Sequence, residues 1–520
     1  MPIGKSRPAF GWLMTIGSLM AIGSGSGTGS TLRAQEGGTP APWVLLEEAI
    51  TQAVAGAEKS VVSIARDRVT HELRTDIGFL DGIGGRMDLS NVRDPKYIPS
   101  DFGAGVILRE DGYILTNYHL VRGGPTVTQD GPAENVLYVR LADRRGYFAR
   151  IYAADPRSDL ALLKIDVPDK LPVMKWSAGK PLRKGQFVLL LGNPYAISRD
   201  GSASVCAGLV SNVTRTPQPL ERSMDWDESS SRTIEHLGTL VHLDMRLNLG
   251  TSGGALLNLN GELVGMTTSL AAIAGYEKSA GFAVPLDQST MRIVKSLQDG
   301  LEVEYGFLGI ELDEAENFDP TRSELLLQHF QQSGAAHVKI VPYNGPAFRA
   351  GLMKDDLILA VNDQPVLSSD DLMREIGLLA PGTLAELKVF RPSDGTGGNG
   401  MLQARRMSVE MGKWPVRNDS EIVAPNRRHP FWRGLAVDYA TARFRFFNAQ
   451  RGAVPGGVLV TEVKPESAAA KIELAAGDFI THVNRQPVQT PREFYTIASQ
   501  LTAGEVKLTL TTGKTVTISP

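Results

Sequence analysis

Ser252 lies in Gly250-Thr251-Ser252-Gly253-Gly254, where small, conformationally permissive residues surround a hydroxyl. A serine that attacks a carbonyl creates a negative tetrahedral oxygen. Stabilising that oxygen takes two or more backbone N–H groups aimed at one point. Glycines permit so tight a turn and leave room for a substrate carbonyl. Such a string also makes ordinary turns, so a catalytic reading needs a base and a residue to orient it. His119 ends the run Asp111-Gly112-Tyr113-Ile114-Leu115-Thr116-Asn117-Tyr118-His119. Val106 to Leu108 and Tyr113 to Thr116 are β-prone, and Asp111-Gly112 between them is a hairpin signal. The imidazole therefore leaves the end of a hairpin strand, a rigid place from which to take a proton. Asp159 ends the turn Asp155-Pro156-Arg157-Ser158, just before the apolar run Leu160-Ala161-Leu162-Leu163-Lys164-Ile165. A carboxylate delivered there can be partly buried and can hold an imidazole in one tautomer. Taken singly, His119 is a strand-end histidine and Asp159 a turn or capping aspartate. Together they follow the order His, Asp, Ser, one of the known orders for this chemistry.

These stretches resemble the HtrA/Deg family of serine proteases, as do Asn248 to Gly265, Leu191-Gly192-Asn193-Pro194-Tyr195 and Ala207-Gly208-Leu209-Val210-Ser211. The resemblance runs from about Ser60 to the C-terminus. It implies Ser252 as nucleophile, His119 as general base and then acid, and Asp159 as the orienting carboxylate. It also implies an oxyanion hole from the backbone N–H groups of Gly250 and Ser252. Thr268, Ser269 and Leu270, with Gly281-Phe282-Ala283, are expected to border a modest pocket for aliphatic side chains. This sequence departs from the family pattern at Thr251, Leu249, Ala104 and Tyr118. None of these changes removes a group the chemistry needs. Arg246 lies six residues before the serine and is expected to point to solvent.

The elements that must position these residues follow from length and pattern. A chain of 520 residues is too long for one core. With 54 glycines, 30 prolines and few aromatics it reads as many short strands and turns, among them 187–191, 205–210 and 263–268. The fold class expected is multidomain: an all-β double Greek-key barrel of chymotrypsin/trypsin type, then two small α+β PDZ domains. The expected divisions are a signal peptide or anchor at 1–34, the protease domain at 35–298, the first PDZ domain at 301–412, a linker at 413–430 and the second PDZ domain at 431–520. A helix over 286–297 should close the protease domain.

The PDZ reading rests on a repeat. Asp356, Val361-Asn362-Asp363-Gln364-Pro365-Val366 and Leu372 recur, 122 positions later, as Asp478, Val483-Asn484-Arg485-Gln486-Pro487-Val488 and Phe494. Each copy resembles a PDZ domain, a module that exposes a strand edge to a peptide. In the first copy Tyr305, Gly306, Phe307, Leu308 and Gly309 resemble the carboxylate-binding loop. The matching piece of the second is Arg433-Gly434-Leu435-Ala436-Val437, with alanine where the first has Gly309. Residues 392–400 read as a flexible loop. The stretch 66–100 resembles the family's LA loop by position, and 216–239 reads as a charged surface insertion.

Lys5 and Arg7 precede an apolar stretch that ends near Ile22, and a cleavage site after Ala34 fits an export signal. The formal net charge of −3 includes three basic residues from that segment and no acidic ones, so the mature chain is more acidic still. Without basic clusters, nucleic acid is not an expected partner. The lone Cys206 cannot form an intrachain disulfide and reads as a small core residue. The eight histidines show no paired ligand spacing, so neither a metal nor a cofactor is expected. These features point to an exported endopeptidase acting on unfolded protein or peptide substrates. The resemblance also implies a homo-oligomer, a trimer or a multiple of one, in the periplasm or an equivalent compartment. It leaves room for a peripheral association with a membrane. The alternative is a mainly non-proteolytic peptide-binding chaperone or scaffold.

Overall fold

The computed structural model describes residues 41–68, 99, 101–122, 135–177, 179–193, 200–215, 240–268, 281–313, 320–392, 403–416, 418–446 and 453–520. The export segment 1–34, the insertion 216–239, most of 66–100, and residues 393–400 lie outside the described residues, as do His236, Ser269 and Leu270. Residues 1–46 form one unit, of which 41–46, with the start of helix α1 (Pro42–Ala57), are described. Residues 47–520 form the other.

Strands β1 (Val61–Arg68), β2 (Asp101–Arg109), β3 (Tyr113–Asn117), β4 (Asn135–Arg140), β5 (Gly146–Asp155) and β6 (Leu160–Ile165) close into a barrel in the order β1-β2-β3-β6-β5-β4. A second barrel repeats that connectivity. It is built from β7 (Phe187–Gly192), β8 (Ser204–Arg215), β9 (Leu240–Leu243), β10 (Ala255–Leu257), β11 (Leu263–Thr268) and β12 (Gly281–Pro285), in the order β7-β8-β9-β12-β11-β10. The expected double barrel is therefore present. Its apolar runs follow from the two-residue period of a strand. Along β6, Leu160 and Leu162 pack into the seam between the barrels, while Ala161, Leu163 and Ile165 fill the first barrel. Leu115, Leu189, Leu257 and Met266 complete the seam.

The Asp111-Gly112 hairpin forms as expected, with Gly112 at φ 97° and its N–H bonded to the Arg109 carbonyl. A side chain at Gly112 would meet the Ile165 carbonyl at 2.4 Å, so the position needs glycine for space as well as for φ. Helix α2 (Gln288–Gln298) follows the second barrel and buries Ile293, Val294 and Leu297. It starts where the Asp287 side chain accepts the Thr290 N–H.

One expectation fails here. Cys206 is exposed rather than in a core. Among the described residues, pairing of β8 with β9 begins only at Val210, so the start of β8, paired with β7, runs past β9.

The two repeats fold alike. The first sheet contains β14 (Glu311–Leu312), β15 (Ala336–Ile340), β16 (Leu357–Val361), β18 (Leu384–Phe390) and β19 (Ala404–Glu410), with β17 (Gln364–Pro365) paired to β16. The second contains β21 (Leu435–Tyr439), β22 (Val458–Val463), β23 (Phe479–Val483), β25 (Val506–Leu510) and β26 (Thr515–Ile518), with β24 (Gln486–Pro487) paired to β23. The 122-residue offset carries specific bonds. Asp356 accepts the Met353 N–H, and Asp478 accepts that of Ala475. Asn362 accepts the Glu386 N–H, and Asn484 accepts that of Lys507. Ser368 and Thr490 cap the longer helices, Ser369–Gly377 and Pro491–Gln500. Within the stretch expected to begin the linker, Gly412–Lys413 is a short strand (β20) paired with β13 (Gly306–Phe307).

Candidate active site

The three chemically marked residues meet in the seam between the barrels. His119 sits in the helical turn Tyr118–Val121, which follows β3 directly. Asp159 ends the β5–β6 turn, and Ser252 lies in the β9–β10 connection. The His119 Nδ1 is 2.8 Å from Asp159 Oδ2, and its Nε2 is 3.1 Å from Ser252 Oγ. A proton on Nδ1 satisfies the carboxylate and leaves Nε2 as the acceptor for the serine hydroxyl. Asp159 also accepts the His119 backbone N–H through Oδ1 at 2.9 Å. Its own carbonyl receives the Tyr118 N–H and the Asn117 side-chain amide. Asp159 and Ser252 are almost fully buried, so water competes little for these bonds.

The Ser252 turn is fixed by what surrounds its glycines. Gly250 and Gly253 have φ of 92° and 78°. A side chain at Gly253 would lie 2.0 Å from the Ala104 carbonyl, and one at Gly250 would lie 2.1 Å from that of Asn193. Only glycine serves at either place. The Ala104 N–H donates to the Ser252 carbonyl at 2.8 Å, pinning the turn to β2 of the first barrel. Thr251 is held separately: its hydroxyl donates to Asn248, and its carbonyl accepts from Gly254 and Thr267. The Thr251 N–H is taken up by Asn248.

Other expected site residues fall in different places. Thr268, expected beside the substrate pocket, is buried, and its hydroxyl donates to Asp159 Oδ2 at 3.4 Å. The sequence held a hydroxyl at the end of a strand but nothing to show that β11 passes behind the aspartate. Arg246 is exposed, as expected. Tyr118 is packed in the first barrel, where burial, then the Glu421 charge, pushes its phenol up to about 12.

The expected carboxylate loop divides in two. Gly306 and Phe307 form β13, Leu308 is buried, and Gly309 takes φ 74° beside Pro346. Tyr305 is turned away from these residues. Its ring is buried, and its hydroxyl donates to Asp155 of the first barrel at 2.5 Å. In the second copy the Val437 N–H donates to the Tyr495 hydroxyl, and the His429 ring stacks on Tyr495 at 4.4 Å. Residues of the preceding linker, among them Arg427 and His429, line a cavity of about 560 Å³ together with Ala436 and Val437.

A trypsin-like peptidase domain family matches residues 103–266, and PDZ domain families match 306–403 and 459–511. A Pseudomonas fluorescens protein named probable periplasmic serine endoprotease DegP-like is 34% identical over 403 residues, covering 77% of this chain and 74% of its own. The chain belongs to this HtrA/DegP-like serine protease family. A Halomonas elongata protein with the same name is 31% identical over 401 residues, again covering 77% and 74%. The solved structure of the HtrA-type protease AlgW with tripeptide matches at 25% identity and a TM-score of 0.47, over 70% of this chain and 97% of that one. This HtrA/DegP-like chain is a serine endopeptidase with a trypsin-like domain followed by two PDZ domains. Among the described residues no group of side chains could hold a metal ion, and no helix is long and apolar enough to cross a membrane.

Proposed function

We propose that this HtrA/DegP-like protein is an exported endopeptidase that cuts unfolded or damaged protein chains through an acyl-enzyme. Ser252, His119 and Asp159 are its triad. The observation that carries this reading is the single imidazole bridging Asp159 at 2.8 Å and Ser252 at 3.1 Å. The Ser252 oxygen attacks the scissile carbonyl while His119 Nε2 takes its proton. The oxygen that becomes negative lies against the backbone N–H groups of Gly250 and Ser252. His119 then gives its proton to the leaving amine, and the peptide bond breaks to leave an ester on Ser252. Water attacks that ester, losing a proton to His119, and the acid product departs as the serine regains its hydrogen. Asp159 holds the imidazole in place and stabilises its cationic form throughout.

Gly306, Phe307, Leu308 and Gly309 would take a peptide terminus, beside β14 at the end of the strand order, and so control what reaches the triad. An export signal at 1–34 and relatives named periplasmic support a place outside the cytoplasm. The protein is expected to work as a homo-oligomer, a trimer or a multiple.

The test pairs the wild-type protein with Ser252→Ala. Both are incubated with casein and with a fluorophosphonate, and both are sedimented. Wild type should cleave and label while the variant does neither, and both should sediment as oligomers. Equal cleavage by the two would sink the protease assignment of Ser252, and a strictly monomeric profile would remove the oligomer.

A further inference from the structure

The turn that presents Asp159 is held from outside the barrel that contains it. Asp155 begins that turn at the end of β5, and its side chain is fully buried. A buried carboxylate needs its lone pairs met, since an unsatisfied one is heavily penalised. Three donors converge on Asp155. Arg157 Nε donates to Oδ1 at 2.8 Å, the Ser158 N–H to Oδ2 at 3.1 Å, and the Tyr305 hydroxyl to Oδ2 at 2.5 Å. The first two are local and fold the turn upon itself. The third comes 150 residues later, from the segment that leads out of α2 into the first PDZ domain.

That segment makes two further contacts with the same turn. Arg157 Nη2 donates to the Val303 carbonyl at 2.6 Å, and the Arg157 guanidinium lies over the Tyr305 ring at 4.7 Å. On the next residue back, Ala154 exchanges two backbone hydrogen bonds with Val423 of the linker between the PDZ domains, at 2.8 and 3.1 Å. Burial, then the Asp155 charge, pushes the Tyr305 phenol well above its usual value, so it keeps the proton it donates.

Asp159 needs this support. It sits at φ 53°, in the left-handed region that aspartate tolerates better than most residues but that still leaves the turn to be fixed by its contacts. Its one turn-closing bond, from its N–H to the Pro156 carbonyl, is long at 3.4 Å. From that position it must place one oxygen on His119 Nδ1 and the other on the His119 backbone N–H.

Resting on the reading of Ser252, His119 and Asp159 as the triad, we propose that Asp155 and Tyr305 are positioning residues for it. Tyr305 ties the entrance of the first PDZ domain to the turn that carries Asp159. Alignment of His119 then depends on that segment staying seated on the barrel. Displacing it withdraws a donor from Asp155, and the turn loses its fixed shape.

The test uses full-length protein carrying Tyr305→Phe, which keeps the ring and removes only the hydroxyl. A second variant, Asp155→Asn, keeps the shape and removes the charge on which Arg157 and Tyr305 converge. Hydrolysis of a short peptide is measured per fluorophosphonate-titrated serine, alongside the far-downfield proton resonance of His119 Nδ1–H. Each variant should lose about tenfold in kcat with KM changed less than about twofold, because the bond acts on the reacting geometry and not on substrate binding. The resonance should shift or broaden.

Unchanged kcat per titrated site together with an unchanged resonance overturns the proposal. So does a loss that only follows the fraction of unfolded protein. If wild type neither labels nor cleaves, the protease reading fails by itself, and the resonance alone then decides the positioning.

Discussion

At the scale of single residues, the catalytic proposal depends on which nitrogen of His119 carries a proton, and Asp159 sets that. Replacing Asp159 by Asn keeps the contact distance but lets the amide stabilise the wrong tautomer. The expected loss in kcat is about 10⁴-fold, measured on a peptide ester or amide. Thr268 offers a finer measure. Its hydroxyl adds a second side-chain donor to Asp159 Oδ2, and Thr268→Val removes it with little change of shape. One hydrogen bond to a charged group corresponds to a fall in kcat of up to about tenfold, with KM nearly constant. A KM effect larger than the kcat effect would show Thr268 acting on the pocket instead. The proposed triad was legible because each member sits in a local pattern that survives folding: a glycine turn, a hairpin end, a turn before an apolar strand. The role of Thr268 was not legible. It depends on β11 crossing behind a turn more than a hundred residues away, and no local pattern encodes that crossing.

At the scale of elements, the paired repeats let one copy act as the reference for the other. Both have a two-residue hairpin turn with positive φ at its two central residues, Asn362-Asp363 in the first and Asn484-Arg485 in the second. Asn and Asp tolerate that conformation, whereas Arg485, exposed at φ 70°, gains nothing from it. Arg485→Gly would give the favoured Asn-Gly turn and should raise stability by about 0.5–1 kcal/mol, read from the urea midpoint. A lower midpoint would mean that the arginine side chain makes a contact worth more than the strain.

The repeats were readable in sequence because the Asn-x-x-Pro turn and the Asp that closes the preceding loop are fixed by backbone bonds in both copies. Tyr305 was read as part of the peptide loop by adjacency to Gly306. The Tyr305 carbonyl accepts the Trp414 N–H in line with the β13–β20 pairing, so its side chain falls on the opposite face from the next residue's and meets Asp155 of the protease barrel.

At the scale of the whole of 47–520, the parts are joined by a buried charge cluster. Lys413 Nζ, almost without exposure, lies 2.7 Å from Asp438, 3.0 Å from Glu302 and 3.1 Å from Glu304. Arg443 pairs with Glu302, and Arg428 with Glu304. These residues come from the segment after α2, strand β20, the stretch expected to be the linker and the second repeat. Burial works against the charge on Glu302, but Lys413, Arg443 and Arg157 outweigh it and hold its carboxyl well below the usual range. A depressed carboxyl contributes stability that is fully present above its unfolded value of about 4.3 and is lost as pH falls through its folded value. Asp438 is shifted the other way, chiefly by burial, and offsets part of this.

Lys413→Met removes the central cation and should destabilise by about 3–5 kcal/mol at pH 7. The deficit should shrink below about pH 4 as the acids take up protons. Denaturation midpoints at pH 7 and pH 3.5 check it, and a deficit that grows at low pH would contradict the sign. None of this cluster was marked in the sequence, because glutamates and arginines are usually solvated and only packing makes them partners.

The sequence by itself determined the chemistry and the order of the parts. Gly250, Gly253 and Gly112 are demanded by backbone angle, Leu160 to Ile165 by a strand with two buried faces, and the 122-residue repeat by turns closed within a few residues. These are short-range constraints, and each is written where it acts. The tertiary structure decided what lies far apart in the chain: Thr268 behind Asp159, Tyr305 on Asp155, Lys413 among three acids, and Cys206 exposed where β8 outruns β9. Such contacts arise only when separate elements pack. Their partners are chosen by distance in space, which residue spacing does not record.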